Sequence, residues 1–171
     1  MNQSQLNEYF ATKWKSNLDQ YLYSGWNLIN NISDEEWVLD VGCGQNSFKG
    51  KIKNLIGIDP AFEESDFKVS LEEFKTNQKF DVAFCLGSIN FGDKNKIITQ
   101  IELIVNLLNS SSRIYWRCNP GLFDHQNEEC KKIHFYPWTI QDHFELSKYF
   151  GFECVDAKVD TNNRIYAEWK K

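Results

Sequence analysis

With 171 residues, 42% of them hydrophobic and 15% aromatic, the chain is long enough for one domain around a single core and too short for a second catalytic domain. A net charge of -5 and a pI near 5.2 argue against a protein that grips duplex nucleic acid by neutralising phosphates. No apolar stretch has membrane-spanning length, and the N-terminal MNQSQLNEYFATKWK lacks the apolar core of a secretory signal, so a cytoplasmic protein without a membrane partner is expected.

Residues 4–31 carry Leu6, Tyr9, Phe10, Trp14, Leu18, Tyr21, Leu22, Leu28 and Ile29 at roughly helical spacing, which predicts one or two amphipathic helices forming a cap over residues 1–32. Core packing is the first explanation for the cluster Tyr9, Phe10, Trp14, Tyr21 and Tyr23. A first strand over residues 37–41 breaks at Gly42-Cys43-Gly44, and a second ends at Asp59 and is closed by Pro60. Only ten residues, 45–54, join them, so the crossover helix must be short. A brief third strand near residues 67–70 leads into a helical turn at 71–74. The run FDVAFCL, residues 80–86, then reads as a strand covered on both faces and ends at Gly87-Ser88.

Asp93 can cap a helix whose Ile97, Ile98, Ile101, Ile104, Val105 and Leu108 form one apolar face. Residues 113–117 supply a further strand, stopped by Asn119-Pro120-Gly121, and residues 122–137 show no period. Thr139 caps a helix that Gly151 ends, and two closing strands flank the turn Thr161-Asn162-Asn163. The five cysteines are odd in number and form no C-x-x-C pair, so reduced thiols are expected.

The chemistry concentrates at the two early strand tips. Glycine lacks Cβ, so the backbone at Gly42 and Gly44 can take positive φ and approach a ligand closely. An acid at the tip of the next parallel strand, here Asp59, is placed to accept ribose hydroxyls. Nicotinamide enzymes share that pairing, but their G-x-G-x-x-G requires glycine where this chain has Ser47. A further carboxylate, Asp40, sits awkwardly beside a pyrophosphate and suits the cationic methionine part of S-adenosylmethionine.

On VLDVGCG, GIDP and KFDVAFCLGS, the chain resembles the class I (Rossmann-like) S-adenosylmethionine-dependent methyltransferases. The resemblance implies a three-layer α/β domain over residues 1–171, with the Rossmann-like core at 37–169. Its mostly parallel seven-stranded sheet would have an antiparallel last strand. It implies S-adenosyl-L-methionine as cofactor, within reach of Asp40, Gly42, Cys43, Gly44, Asp59, Pro60, Ser70, Leu71, Leu86, Gly87 and Ser88. Asn46 stands where that family usually has a third glycine, and asparagine tolerates left-handed backbone better than most residues. Adenine recognition falls to the backbone and Ser70, because Ser70-Leu71 stand where that family often places an acid after the third strand.

The reaction expected is methyl transfer to a small-molecule acceptor, for which alignment is the main task and a base is optional. His134, His125 and Tyr136 are the candidates for acceptor contact or proton removal, while Ser88, Asn90 and Phe91 follow the fourth strand. The loop LGSINFGD lacks the D/N-P-P-Y/F signature, which argues against amino-group methylation of DNA bases. His125, Cys130 and His134, with the acids between them, fit no standard metal spacing, so no metal is expected. The rival reading is a fold-retaining binding or scaffold module, which the short crossover and Asn46 make conceivable.

Overall fold

The computed structural model describes residues 1–14, 25–122 and 128–171. Six strands form one sheet: β1 (Trp37–Val41), β2 (Asn54–Ile58), β3 (Phe80–Leu86), β4 (Leu108–Cys118), β5 (Glu153–Val159) and β6 (Ile165–Lys170). Their spatial order is β2-β1-β3-β4-β6-β5. The first four are parallel, and β6 runs antiparallel to both β4 and β5. Because β1 is flanked by β2 on one side and β3 on the other, the strand order reverses at its carboxyl end, where open α/β sheets form a ligand crevice.

Alternation along the central strands sorts side chains into two cores. Leu39, Ala83, Cys85, Ile114 and Trp116 face α2 (Lys94–Leu107) and α3 (Ile140–Tyr149), which contribute Ile97, Ile101, Ile104 and Leu146. Val38, Val82, Phe84 and Tyr115 face the other way, onto Leu28, Phe48 and Ile52. Both helices begin as their sequences predict: Asp93 accepts the Lys96 N–H at 2.9 Å, and Thr139 forms a reciprocal capping box with Asp142. At the far end of α3, Gly151 takes φ +75°.

Two expectations need correction. The sheet has six strands among the described residues, not seven, since the segment at 67–70 makes a single parallel bridge, Ile58 to Phe67. The ladder stops because the Asp66 carboxylate accepts the Gly57 N–H at 2.8 Å and so replaces a main-chain acceptor; the chain then curls at Val69, whose N–H donates to Phe67 O. No helix forms between β1 and β2; residues 45–53 are turns with one bridge, Lys49 to Ile52. Phe48 fills the space instead, its ring 5.3 Å from Trp26 and 5.1 Å from Phe84. Among the described residues the N-terminal segment has one α-helix, α1 (Gln3–Thr12), and a 3₁₀ segment at Trp26–Asn31; Leu18, Tyr21, Leu22 and Tyr23 lie outside the described residues. Leu6 and Tyr9 of α1 pack on Cys130, Ile133 and Phe135, which brings the cap beside the carboxyl ends of the strands. No helix among the described residues is long and apolar enough to cross a membrane.

Candidate cofactor and acceptor site

The tips of β1 and β2 are tied together by main-chain bonds. The N–H groups of Gly42 and Cys43 both donate to Ile58 O, at 2.8 and 3.1 Å. This forces a left-handed turn: Gly42 has φ +68°, Gly44 +54° and Asn46 +53°. A Cβ on Gly42 would lie 2.3 Å from Ser88 Cβ, so the β1 tip touches the β3 tip through a surface with no side chain. Around Gly44 and Gly87 a Cβ would meet nothing within 4 Å, and both positions border an open cavity. Asn46 replaces the absent glycine conformationally and uses its side chain elsewhere, donating from Nδ2 to Glu64 O at 3.0 Å.

Asp59 fastens the second tip. Its Oδ2 accepts the Gly44 N–H at 3.0 Å, and Oδ1 accepts those of Ala61 at 2.8 Å and Phe62 at 3.2 Å. Burial raises its pKa, and these three N–H groups pull it back toward the ionised form. A carboxylate offers about four lone-pair sites, so one remains for a ligand hydroxyl.

The cavity enclosed here has a volume of about 920 Å³. Of the residues expected to reach a cofactor, Gly42, Gly44, Asp59, Pro60, Ser70, Leu71, Leu86, Gly87 and Ser88 line it. Asp40 and Cys43 do not: both are buried behind the glycine turn. Asp40 is pushed up to about 7, first by desolvation and then by the charge of Asp59, so it borders the site electrostatically rather than by contact. The Ser88 hydroxyl is buried on the cavity floor without a hydrogen-bond partner. Ser70 gives its hydroxyl proton to Glu73 Oε2 at 2.9 Å, leaving the oxygen's lone pairs to accept from a ligand amino group.

The two described candidates for acceptor chemistry, His134 and Tyr136, do not line the cavity. His134 is exposed and contributes only its carbonyl, which accepts the Gly92 N–H at 2.8 Å. Tyr136 is turned into the α3 core, where its hydroxyl donates to Asp142 Oδ1 at 2.8 Å, and His125 lies outside the described residues. Asn90 does reach the site, but structurally. It accepts the Asn119 N–H at 2.9 Å and donates to Gly87 O at 2.7 Å, while its carbonyl accepts the Tyr136 N–H at 2.8 Å.

Many solved structures resemble the chain. Magnesium protoporphyrin IX methyltransferase from Synechocystis PCC 6803, with bound S-adenosylhomocysteine, superposes at TM-score 0.71 and 13% identity, covering 98% of each chain. The chain has the class I methyltransferase fold. The 1,6-didemethyltoxoflavin-N1-methyltransferase of Burkholderia thailandensis matches at TM-score 0.66 and 15% identity over 85% of this chain and 75% of that one. The N-methyltransferase NodS of Bradyrhizobium japonicum WM9 matches at 0.60 and 12% over 98% and 97%. No protein-family model matches the chain, and no curated protein matches it by sequence.

Within this methyltransferase fold, several cavity residues escaped the sequence reading. Arg117, at the end of β4, reads as one more strand residue, yet it is buried and lines the cavity. Lys96 of α2 and the turn at 161–164 line it as well. Only the position of Arg117 at a parallel strand's carboxyl end could have drawn attention to it.

Proposed function

We propose that this chain is an S-adenosylmethionine-dependent methyltransferase acting on a small-molecule acceptor. The observation that carries the reading is the union of bare backbone and carboxylate on one cavity wall, with Gly42, Gly44 and Asp59 joined through the Gly44 N–H. Gly44 and Gly87 give the cofactor close access to backbone; Asp59 holds one ribose hydroxyl; Ser88 supplies a hydroxyl otherwise unpartnered; Ser70 and Leu71 border the adenine. Buried Asp40 favours a cationic methionine moiety nearby, because a positive charge offsets its desolvation. The bound cofactor supplies a methyl group already activated on sulfur. What remains for the protein is to orient the acceptor in line and exclude water, which needs no dedicated base.

Phe48 occupies the space of the missing crossover helix, and Asn46 adopts the glycine-like conformation, so neither feature favours the scaffold alternative. Calorimetry and thermal unfolding with S-adenosylmethionine and S-adenosylhomocysteine test the reading. Saturable binding is expected, with about 2.7 kcal/mol of added stability at a hundredfold excess over Kd. No heat and no shift at millimolar cofactor would refute it.

A further inference from the structure

Resting on the methyltransferase reading, we propose that the acceptor is a planar aromatic compound bearing a carboxylate, and that Arg117 is the residue that holds this anion. Arg117 stands level with Leu86 in the β3–β4 register, beside the strand tips that form the cofactor wall. Its side chain is only 9% exposed. Nε donates to Asp160 Oδ2 at 2.8 Å, but among the described residues neither Nη1 nor Nη2 has an acceptor. Four residues earlier Arg113 shows the contrast: its Nη nitrogens are taken by Glu36 Oε1 and Oε2 and by Asn31 O, at 2.6, 3.0 and 2.6 Å. The Arg117 side chain lines the cavity, so its Nη donors are open to an acceptor that enters there.

Asp160 fixes the aim of the guanidinium. Its other oxygen accepts the N–H groups of Asn162 and Arg164 at 2.8 and 2.9 Å, so the ion pair is anchored on the β5–β6 turn and its terminal fork is pre-oriented. That fork matches the two oxygens of a carboxylate. Although the whole chain is acidic, the cavity lining holds Lys13, Lys96 and Arg164 beside Arg117 and only two acids, Asp59 and Glu72, the latter accepting from Gln100 of α2 at 3.2 Å. The aromatic preference comes from a third wall. Phe10, Phe91 and Phe135 line the same cavity with consecutive ring centroids 5.5 Å apart, a surface against which a flat ring can pack. The volume is near the upper end of single-ligand pockets, about 300–1,000 Å³, which accommodates an acceptor beside the cofactor.

The test titrates the protein, saturated with S-adenosylhomocysteine, with naphthoate and with neutral naphthylmethanol. Naphthoate is expected to bind about tenfold or more tightly than the alcohol, as a charge-assisted pair of hydrogen bonds implies. Arg117→Gln removes the preference, and Arg117→Lys, which keeps charge without the fork, restores part of it. Since Arg117→Gln alone strands the buried Asp160, the double variant Arg117→Gln/Asp160→Asn guards against misfolding, with melting temperature and S-adenosylhomocysteine affinity as the controls. Equal affinity for the two probes, no binding of either, or a preference that survives in a folded double variant would overturn the assignment. Failure of S-adenosylhomocysteine to bind the unaltered protein would instead defeat the methyltransferase reading.

Discussion

Gly42 and Gly44 look equivalent in sequence and differ in what surrounds them. An alanine at Gly42 would meet Ser88 at 2.3 Å in addition to the strain of positive φ, whereas at Gly44 only the strain applies. Gly42→Ala is therefore expected to destabilise the protein by roughly 2–4 kcal/mol and Gly44→Ala by about 1 kcal/mol. Their order reverses for the ligand: the new methyl at Gly44 borders the cavity and lowers cofactor affinity in a protein that still folds. Urea unfolding and cofactor titration of the two variants check both orders. These glycines and Asp59 were legible in the sequence because few residues meet the steric demand of such a turn. Arg117 was not, because a strand arginine looks the same whether its charge is solvated or turned into a cavity. Asp40 and Cys43 show the converse: adjacency to the glycines predicted cavity contact, but both are buried behind the turn, Asp40 because it alternates with Val41, which does line the cavity.

At the level of elements, the segments covered on both faces, such as FDVAFCL, and the helices with polar caps could be read directly, since burial and orphan N–H groups constrain their composition. The lost third strand could not. It is held to one bridge by the Asp66 carboxylate on Gly57 before it and by the curl at Val69 after it, and hydrophobic patterning carries no sign of either. The described part of the irregular stretch after β4 was equally opaque, and the loop after β3 holds it by long-range bonds, from Gly92 to His134 O and through Asn90. Asn90 joins the loop after β3 to Asn119 and to Tyr136, and it positions Phe91 against Phe135 in an antiparallel bridge. Asn90→Ala removes two side-chain hydrogen bonds and leaves the buried Asn119 N–H without its acceptor. A loss of about 2–3 kcal/mol is expected, together with faster amide exchange at residues 133–138. Unchanged exchange there would assign the clamp to the main chain alone.

For the whole molecule, two buried groups give opposing pH dependences. Asp40 has its pKa raised to about 7 by desolvation and the charge of Asp59, so the folded state retains its proton longer than the unfolded chain. Stability from this group is present below the ordinary carboxylate range and is lost as pH rises to about 7. His143 is fully buried among Trp116, Trp138 and Trp169, and desolvation depresses it to about 3 against a weaker opposing pull from Asp142. Its contribution is present above the ordinary imidazole pKa and is lost as pH falls from there toward 3. Over most of the interval between pH 4 and about 7 the two slopes offset each other in the unaltered protein. Relative to it, Asp40→Asn is expected to show stability rising more with pH across that interval, and His143→Phe stability falling more, as read by denaturant unfolding at successive pH values.

The most direct test of the proposed cofactor grip is a titration of ¹⁵N-labelled protein with S-adenosylhomocysteine, followed by amide chemical shifts. The account predicts saturable shifts concentrated at Gly42, Gly44, Asp59, Leu71, Gly87 and Ser88, with the distal α3–β5 side unmoved. Saturation with shifts centred elsewhere, or none at these strand tips, would contradict it.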